Sequence, residues 1–227
     1  METSVRLPER RLVGLKSQVA EIIGRRLSAC AVERLADFHG RYLRGMKGGR
    51  RVVLRACNLS GLDLSGYNFS DAELPACDFS EANLTSAKFV RANLFGAHFN
   101  GADLSNTSFE RADLRGAKFD GAKLYYTHFK GADLRRGEVL GNEGKILFDP
   151  SCSFKDAALT KSDMATCKMM GVDFNGASLS DVKLTGADLR DASFDGAKLA
   201  KVDMQGANLL DADMTRTAID EDTEGSA

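Results

Sequence analysis

The sequence predicts a mainly β solenoid, a square coil of four short sides, preceded by an α-helical segment at the N-terminus. Three observations predict it. From Leu54 onward an apolar residue recurs at every fifth position, as far as Val139 and again from Phe154 to Ile219, giving 32 positions without a polar exception. A small residue, mostly Ala, stands two positions before most of them. The 227 residues also combine 22 Gly with only 3 Pro, as suits a chain that turns often and regularly.

A period of five matches neither a helix, at 3.6 residues per turn, nor a strand, at 2. It matches a chain that turns a corner every five residues, with the large and the small residue pointing inward and the other three outward. Four such sides close a coil of about 20 residues, and stacked coils pair their backbones at about 4.8 Å. At a hydrophobic content of 43%, chance reproduces the run with a likelihood on the order of 10⁻¹². Eight coils would stack to roughly 38 Å. Between Phe69 and Phe129 the large residue alternates Leu and Phe, so two opposite sides of each coil should carry Phe and the other two Leu.

The flanks follow other rules. Residues 1–50 are expected to form a helical cap or a docking segment. Leu12, Leu15, Val19 and Ile22, then Ala31, Leu35, Phe38 and Tyr42, recur at helical spacing, predicting helices over about 8–26 and 30–44. Gly45, Gly48 and Gly49 make a hinge before the coil. Within 51–219 the segment LGNEGKILFDPSCS, about 140–153, breaks the pattern because Gly144 and Asp149 fall on apolar sites. Asn142, Gly144, Asp149 and Pro150 favour a protruding loop over a distorted side. Phe154 lies 15 residues after Val139, so the pattern resumes in phase. The acidic tail 220–227 is expected to be disordered.

The residues also carry a resemblance. Ala92-Asn93-Leu94-Phe95-Gly96, Ala102-Asp103-Leu104-Ser105-Asn106 and Ala187-Asp188-Leu189-Arg190-Asp191 resemble the A(D/N)LXX unit of pentapeptide-repeat proteins. The resemblance implies a right-handed quadrilateral β-helix, a handedness that spacing alone does not give. Some members, the quinolone-resistance proteins, are regarded as mimics of duplex DNA that bind type II topoisomerases. DNA gyrase and topoisomerase IV are therefore the partners it implies.

Composition bounds the function. The formal net charge is −1, which speaks against direct nucleic-acid binding. The charge is graded: residues 1–50 hold 11 basic and 5 acidic side chains, residues 140–227 hold 9 and 16. No apolar run approaches the ~18 residues of a membrane span, and the first residues lack the apolar core of a secretory signal, so a cytoplasmic protein is expected. Five Cys without a CxxC spacing suggest neither a disulfide framework nor zinc. Cys57, Cys77, Cys152 and Cys167 fall on the small inward site and should replace Ala in the core. His98 and His128 are one and a half coils apart and should lie on opposite sides, while His39 falls in the helical region. No catalytic group, cofactor site or metal site is expected.

Surfaces remain. Positions 20 apart stack, and one acidic interaction column stands out: Glu73, Asp113, Asp133, Asp173 and Asp213. Its continuation past residue 140 assumes that the irregular segment counts as three sides. Arg115 and Arg135 follow Asp113 and Asp133 by two residues and dilute the column. Duplex DNA carries one charge per ~1.7 Å, or about 22 over this length, against a net of −3 for residues 51–219. Tyr125, Tyr126 and His128, with Ile146, Leu147 and Phe148 of the irregular segment, make a second candidate contact patch. The reading from sequence is a non-enzymatic scaffold with rigid faces for an unidentified protein partner. The alternative is a DNA-mimicking modulator of a type II topoisomerase. The N-terminal helices are also a candidate homodimer contact.

Overall fold

The five-residue unit has a local cause. Asp or Asn just before the large apolar residue turns its side chain back to accept the backbone N–H two residues on, as Asn58 does from Ser60 at 3.0 Å, Asp63 from Ser65 at 3.1 Å and Asp78 from Ser80 at 3.0 Å. These are Asx-type turns. Two residues after the large one, the chain takes a left-handed conformation. This recurs at every fifth position from 56 to 131 and from 156 to 216, with φ between 50° and 71°. That conformation costs an L-residue about 1–2 kcal/mol, which explains glycines such as Gly101. There a Cβ would also press on the Glu81 carboxylate.

These units stack in a computed structural model that describes residues 19–137, 139–140, 146–148 and 151–225, with Val19, Ala20 and the residues from 139 to 148 described by backbone alone. Parallel bridges join each residue to the one 20 further on along four ladders. Ladder A runs Val53, Glu73, Asn93, Asp113, Asp133, Lys168, Asp188, Asn208. Ladder B runs Asn58, Asp78, His98, Lys118, Ser153, Asp173, Ser193, Asp213. Ladder C begins Asp63, Asn83, Asp103 and continues through the strands β3 (Lys123–Tyr125), β6 (Ala158–Thr160), β7 (Ser178–Ser180), β8 (Lys198–Ala200) and β9 (Ala218–Ile219). Ladder D runs Asn68, Lys88, Ser108, His128, Asp163, Lys183, Asp203, Glu224. The fold is a β-helix solenoid.

The interior follows the predicted alternation. The large residues beside ladders A and C are Leu from Leu54 to Leu134 and from Leu64 to Leu199, with Met169 replacing Leu once on A. Those beside B and D form two Phe stacks. Phe79, Phe99, Phe119, Phe154, Phe174 and Phe194 lie face to face at 4.6–5.1 Å. Phe69, Phe89, Phe109 and Phe129 do so at 5.1–5.4 Å. The two stacks meet edge to face, as Phe109 and Phe119 do at 5.9 Å and 84°; both geometries suit the aromatic quadrupole. No buried side-chain nitrogen or oxygen among the described residues lacks a hydrogen bond.

The irregular segment leaves this register. Across it the bridge offset rises from 20 to 35, pairing Lys118 with Ser153 and Asp133 with Lys168. Fifteen residues are thus extruded, and Phe154 stacks directly on Phe119. Within the extrusion β4 (Val139–Leu140) and β5 (Ile146–Phe148) pair antiparallel.

At the N-terminus the expected first helix is overturned where it is described; the rest of it, from 8 to 18, lies outside the described residues. Val19–Ile23 is a strand, β1, parallel to β2 (Arg51–Arg55), and Arg26 bridges Asn58. The Val-Ala-Glu-Ile-Ile run also fits a strand, and the unpaired edge of the first coil decides in its favour. Ser28 then caps the helix α1 (Ala29–Leu43), accepting the Ala31 N–H at 3.3 Å. Leu27, Val32 and Leu35 join the solenoid core. The tail is also corrected. Glu224 bridges Asp203, and Thr223 is buried with its hydroxyl 2.7 Å from Asp220, so 220–225 complete ladder D; residues 226 and 227 lie outside the described residues.

Candidate interaction faces

The acidic column does not survive the register. Glu73, Asp113 and Asp133 share ladder A, but Lys168 follows Asp133 there; Asp173 and Asp213 belong to ladder B. The extruded 15 residues carry the second half one ladder round. Carboxylate charge on ladder A is also cancelled, within the unit at Asp113, Asp133 and Asp188 and from the coil below at Glu73. The Arg115 guanidinium grips Asp113 through two bonds of 2.8 and 2.7 Å, Arg135 grips Asp133 at 2.9 and 2.8 Å, and Arg190 grips Asp188 at 2.8 Å twice. Arg51 reaches Glu73 at 2.7 Å. Burial opposes ionisation of Asp133, yet the Arg135 guanidinium and N–H hold its carboxyl below the usual range. The Asp-Leu-Arg spacing marked Arg115 and Arg135 in the sequence; Arg190 repeats it.

Ladder B is the acidic side. With the turn residues that follow it, it displays Asp78, Glu81, Asp120, Asp156, Asp173, Asp195 and Asp213 against Lys118, Lys155 and Arg216. Even here Lys155 pairs with Asp173 at 3.0 Å, and Arg216 pairs with Asp195. Elsewhere, Arg91 grips Asp71 at 2.8 Å through two bonds between adjacent coils. Nothing in local spacing signals that pair; the 20-residue rise does.

The aromatic patch divides as well. Tyr125 and Tyr126 stand at the turn between ladders C and D, 40% and 49% exposed, with the Lys161 ammonium 5.5 Å from the Tyr126 ring centre. His128 follows on ladder D. The extrusion that carries Ile146, Leu147 and Phe148 leaves the coil between the last described unit of ladder A and Ser153 on ladder B, diagonally across. Its root packs beside ladder A, where Gly137 adjoins the Phe95 ring and Arg115 lies 5.6 Å from that ring's centre.

The histidines and thiols are placed as follows. His98 sits on ladder B and His128 on ladder D. His39 is fully buried and joins α1 to the coil. Its Nε2 lies 2.9 Å from the Ser70 carbonyl, and its Nδ1 accepts the Val52 N–H at 3.2 Å. Sequence reasoning missed this bond pair; the apolar stripe of α1 marks His39 only as one turn beyond Leu35. Cys57, Cys77, Cys152 and Cys167 are buried free thiols, and burial pushes the Cys167 thiol up to about 12. No group of three or more metal-ligating side chains occurs among the described residues, and no described helix is long and apolar enough to cross a membrane.

The repeat also identifies the family. Its model, pentapeptide repeats, matches eight copies over residues 50–136 and 151–216 in overlapping segments. The chain belongs to the pentapeptide-repeat family. Matches among solved structures include a pentapeptide repeat protein from the thylakoid lumen of Arabidopsis thaliana, 28% identical, covering 50% of this chain and 68% of that one with a TM-score of 0.41. HetL of Nostoc sp., a pentapeptide repeat protein involved in heterocyst differentiation regulation, is 23% identical over 87% and 84% of the two chains with a TM-score of 0.26. QnrB1, a plasmid-mediated fluoroquinolone resistance protein, is 18% identical over 89% and 92% with a TM-score of 0.44. No curated protein matches. This pentapeptide-repeat chain departs from an uninterrupted repeat at the gap between the two matched stretches, where the extrusion lies.

Proposed function

We propose that the protein is a non-enzymatic scaffold, a closed right-handed quadrilateral β-helix whose faces engage a protein partner while β1 and α1 cap its first coil. One observation carries the reading: ladder carboxylates are committed in place, those of Asp113, Asp133 and Asp188 to an Arg of their own unit and those of Asp78 and Asp213 to a backbone N–H. Such groups are held rigid, and the Arg-paired ones carry a compensating positive charge, which favours recognition of a shaped, charge-alternating protein surface over imitation of a polyanion. Affinity capture from native lysate with the wild type and with an Arg115→Asp/Arg135→Asp variant tests it. A stoichiometric protein retained by the first and lost by the second is expected; retention of nothing by either would count against the scaffold. The topoisomerase reading predicts instead inhibition of gyrase supercoiling, lost when Asp173 and Asp213 of ladder B become Lys.

A further inference from the structure

The two ends of the solenoid match one another. On the last coil the N–H groups of Leu209 and Met214 and the carbonyls of Ala207 and Ala212 point along the axis with no described residue to meet them, although their counterparts in every lower coil are bonded. At the other end β1 has a single neighbouring strand, β2, and the N–H and C=O of Arg26 face outward without a described partner. In each internal pair the lower coil offers the groups that the last coil leaves open, and the upper coil answers with those that β1 and Arg26 leave open. Parallel stacking of a second molecule would therefore repeat the internal ladder.

The side chains agree in register. Among the described residues Ile23 and Leu210 are the two most exposed large apolar ones, each 63% exposed. Both occupy one column, two residues past the ladder A bridge: Ile23 pairs with Arg55, and the column rises through Phe95 and Arg115 to Leu210. Arg26 and Asp213 likewise share ladder B. Seating β1 of a second copy on the last coil would cover Leu210 with Ile23 and set Arg26 over Asp213. The wider charges follow: described residues 19–55 carry nine cations against three anions, and residues 206–225 one against six. Two acidic ends, or two basic ends, would repel.

We infer that the protein associates with a second copy of itself head to tail, the last coil of one molecule continuing into β1 of the next. Such an interface is heterologous and does not close, so it propagates. Sedimentation of the full chain over a range of concentrations tests it. The wild type should gain mass beyond a dimer as concentration rises, and should lose it at about 1 M salt, where the Debye length is about 3 Å. Ile23→Asp blocks one end and Leu210→Asp the other. Each alone should be monomeric with an unchanged melting temperature, and an equimolar mixture should form a dimer and stop there. Arg26→Asp and Asp213→Arg should each weaken association at least tenfold and restore it when combined. A wild type that stays monomeric throughout would overturn the inference. So would a dimer that survives in Ile23→Asp alone, meaning tail to tail, or in Leu210→Asp alone, meaning head to head.

Discussion

Where an Asp or Asn precedes the large apolar residue, its side chain braces the corner of this solenoid. Asp103 accepts the Ser105 N–H at 3.0 Å and the Ser105 hydroxyl at 2.6 Å. Asp103→Ala should cost about 1 kcal/mol in chemical denaturation, while Asp103→Asn, which keeps the acceptor, should cost markedly less. His39 makes stability depend on pH. Burial lowers its pKa below the usual 6.5; the hydrogen bond to Ser70 opposes that, Arg51 adds to it and Asp71 opposes it. A folded value below the unfolded one means that the contribution is complete above 6.5 and is lost as pH falls from 6.5 toward the lowered value. Stability should therefore decline as pH falls below about 6.5, and His39→Gln should flatten that slope. An unchanged slope in the variant would remove His39 as the cause. The inward and outward roles of single residues were legible in the sequence because the unit is five residues long. The Arg91–Asp71 and Arg51–Glu73 pairs are not signalled within the unit; they follow only from the stacking of one coil on the next.

At the scale of elements, the Phe stacks and the extrusion make distinct claims. Phe109 touches four other rings, Phe89, Phe99, Phe119 and Phe129. Its replacement by Ala should cost about 3–5 kcal/mol, the range for a well-packed ring. Phe194 has Phe174 as its described ring partner and should fall at the lower end. The described residues of the extrusion carry no bridge of the four ladders. Deleting residues 137–151 restores the 20-residue offset and should leave a cooperatively folding protein, with loop closure relieved. The loop's existence was legible, but not its effect on the faces. An insertion of three whole units preserves the five-residue phase exactly as three distorted sides would. Only the pairings across the gap, Lys118 with Ser153 and Asp133 with Lys168 among them, separate the two, and with them goes the acidic column. The first helix failed for a similar reason: Val19 and Ile22 satisfy helical spacing, and the edge of β2 claims them as a strand.

Over the whole molecule, the architecture separates rigidity from recognition. The interior is a continuous apolar column from Leu27 to Met204, and the outward ladders are free to vary in charge without disturbing it. That separation makes the fold readable in the period and leaves the partner unreadable, because nothing in the period constrains the outward residues. The charge gradient from the basic β1 end to the acidic last coil was visible by counting; its alignment with two open backbone edges required the ladders. The central claim is the register of those ladders, which fixes every face. Cysteine crosslinking measures it directly, since a disulfide needs Cα atoms within about 7 Å and adjacent parallel strands lie about 4.8 Å apart. A protein carrying Asp133→Cys and Lys168→Cys should crosslink rapidly under mild oxidation and keep its melting temperature, while Asp133→Cys with Ser153→Cys should not. Crosslinking of the second pair and not the first would return the irregular segment to the coil and contradict the faces described above.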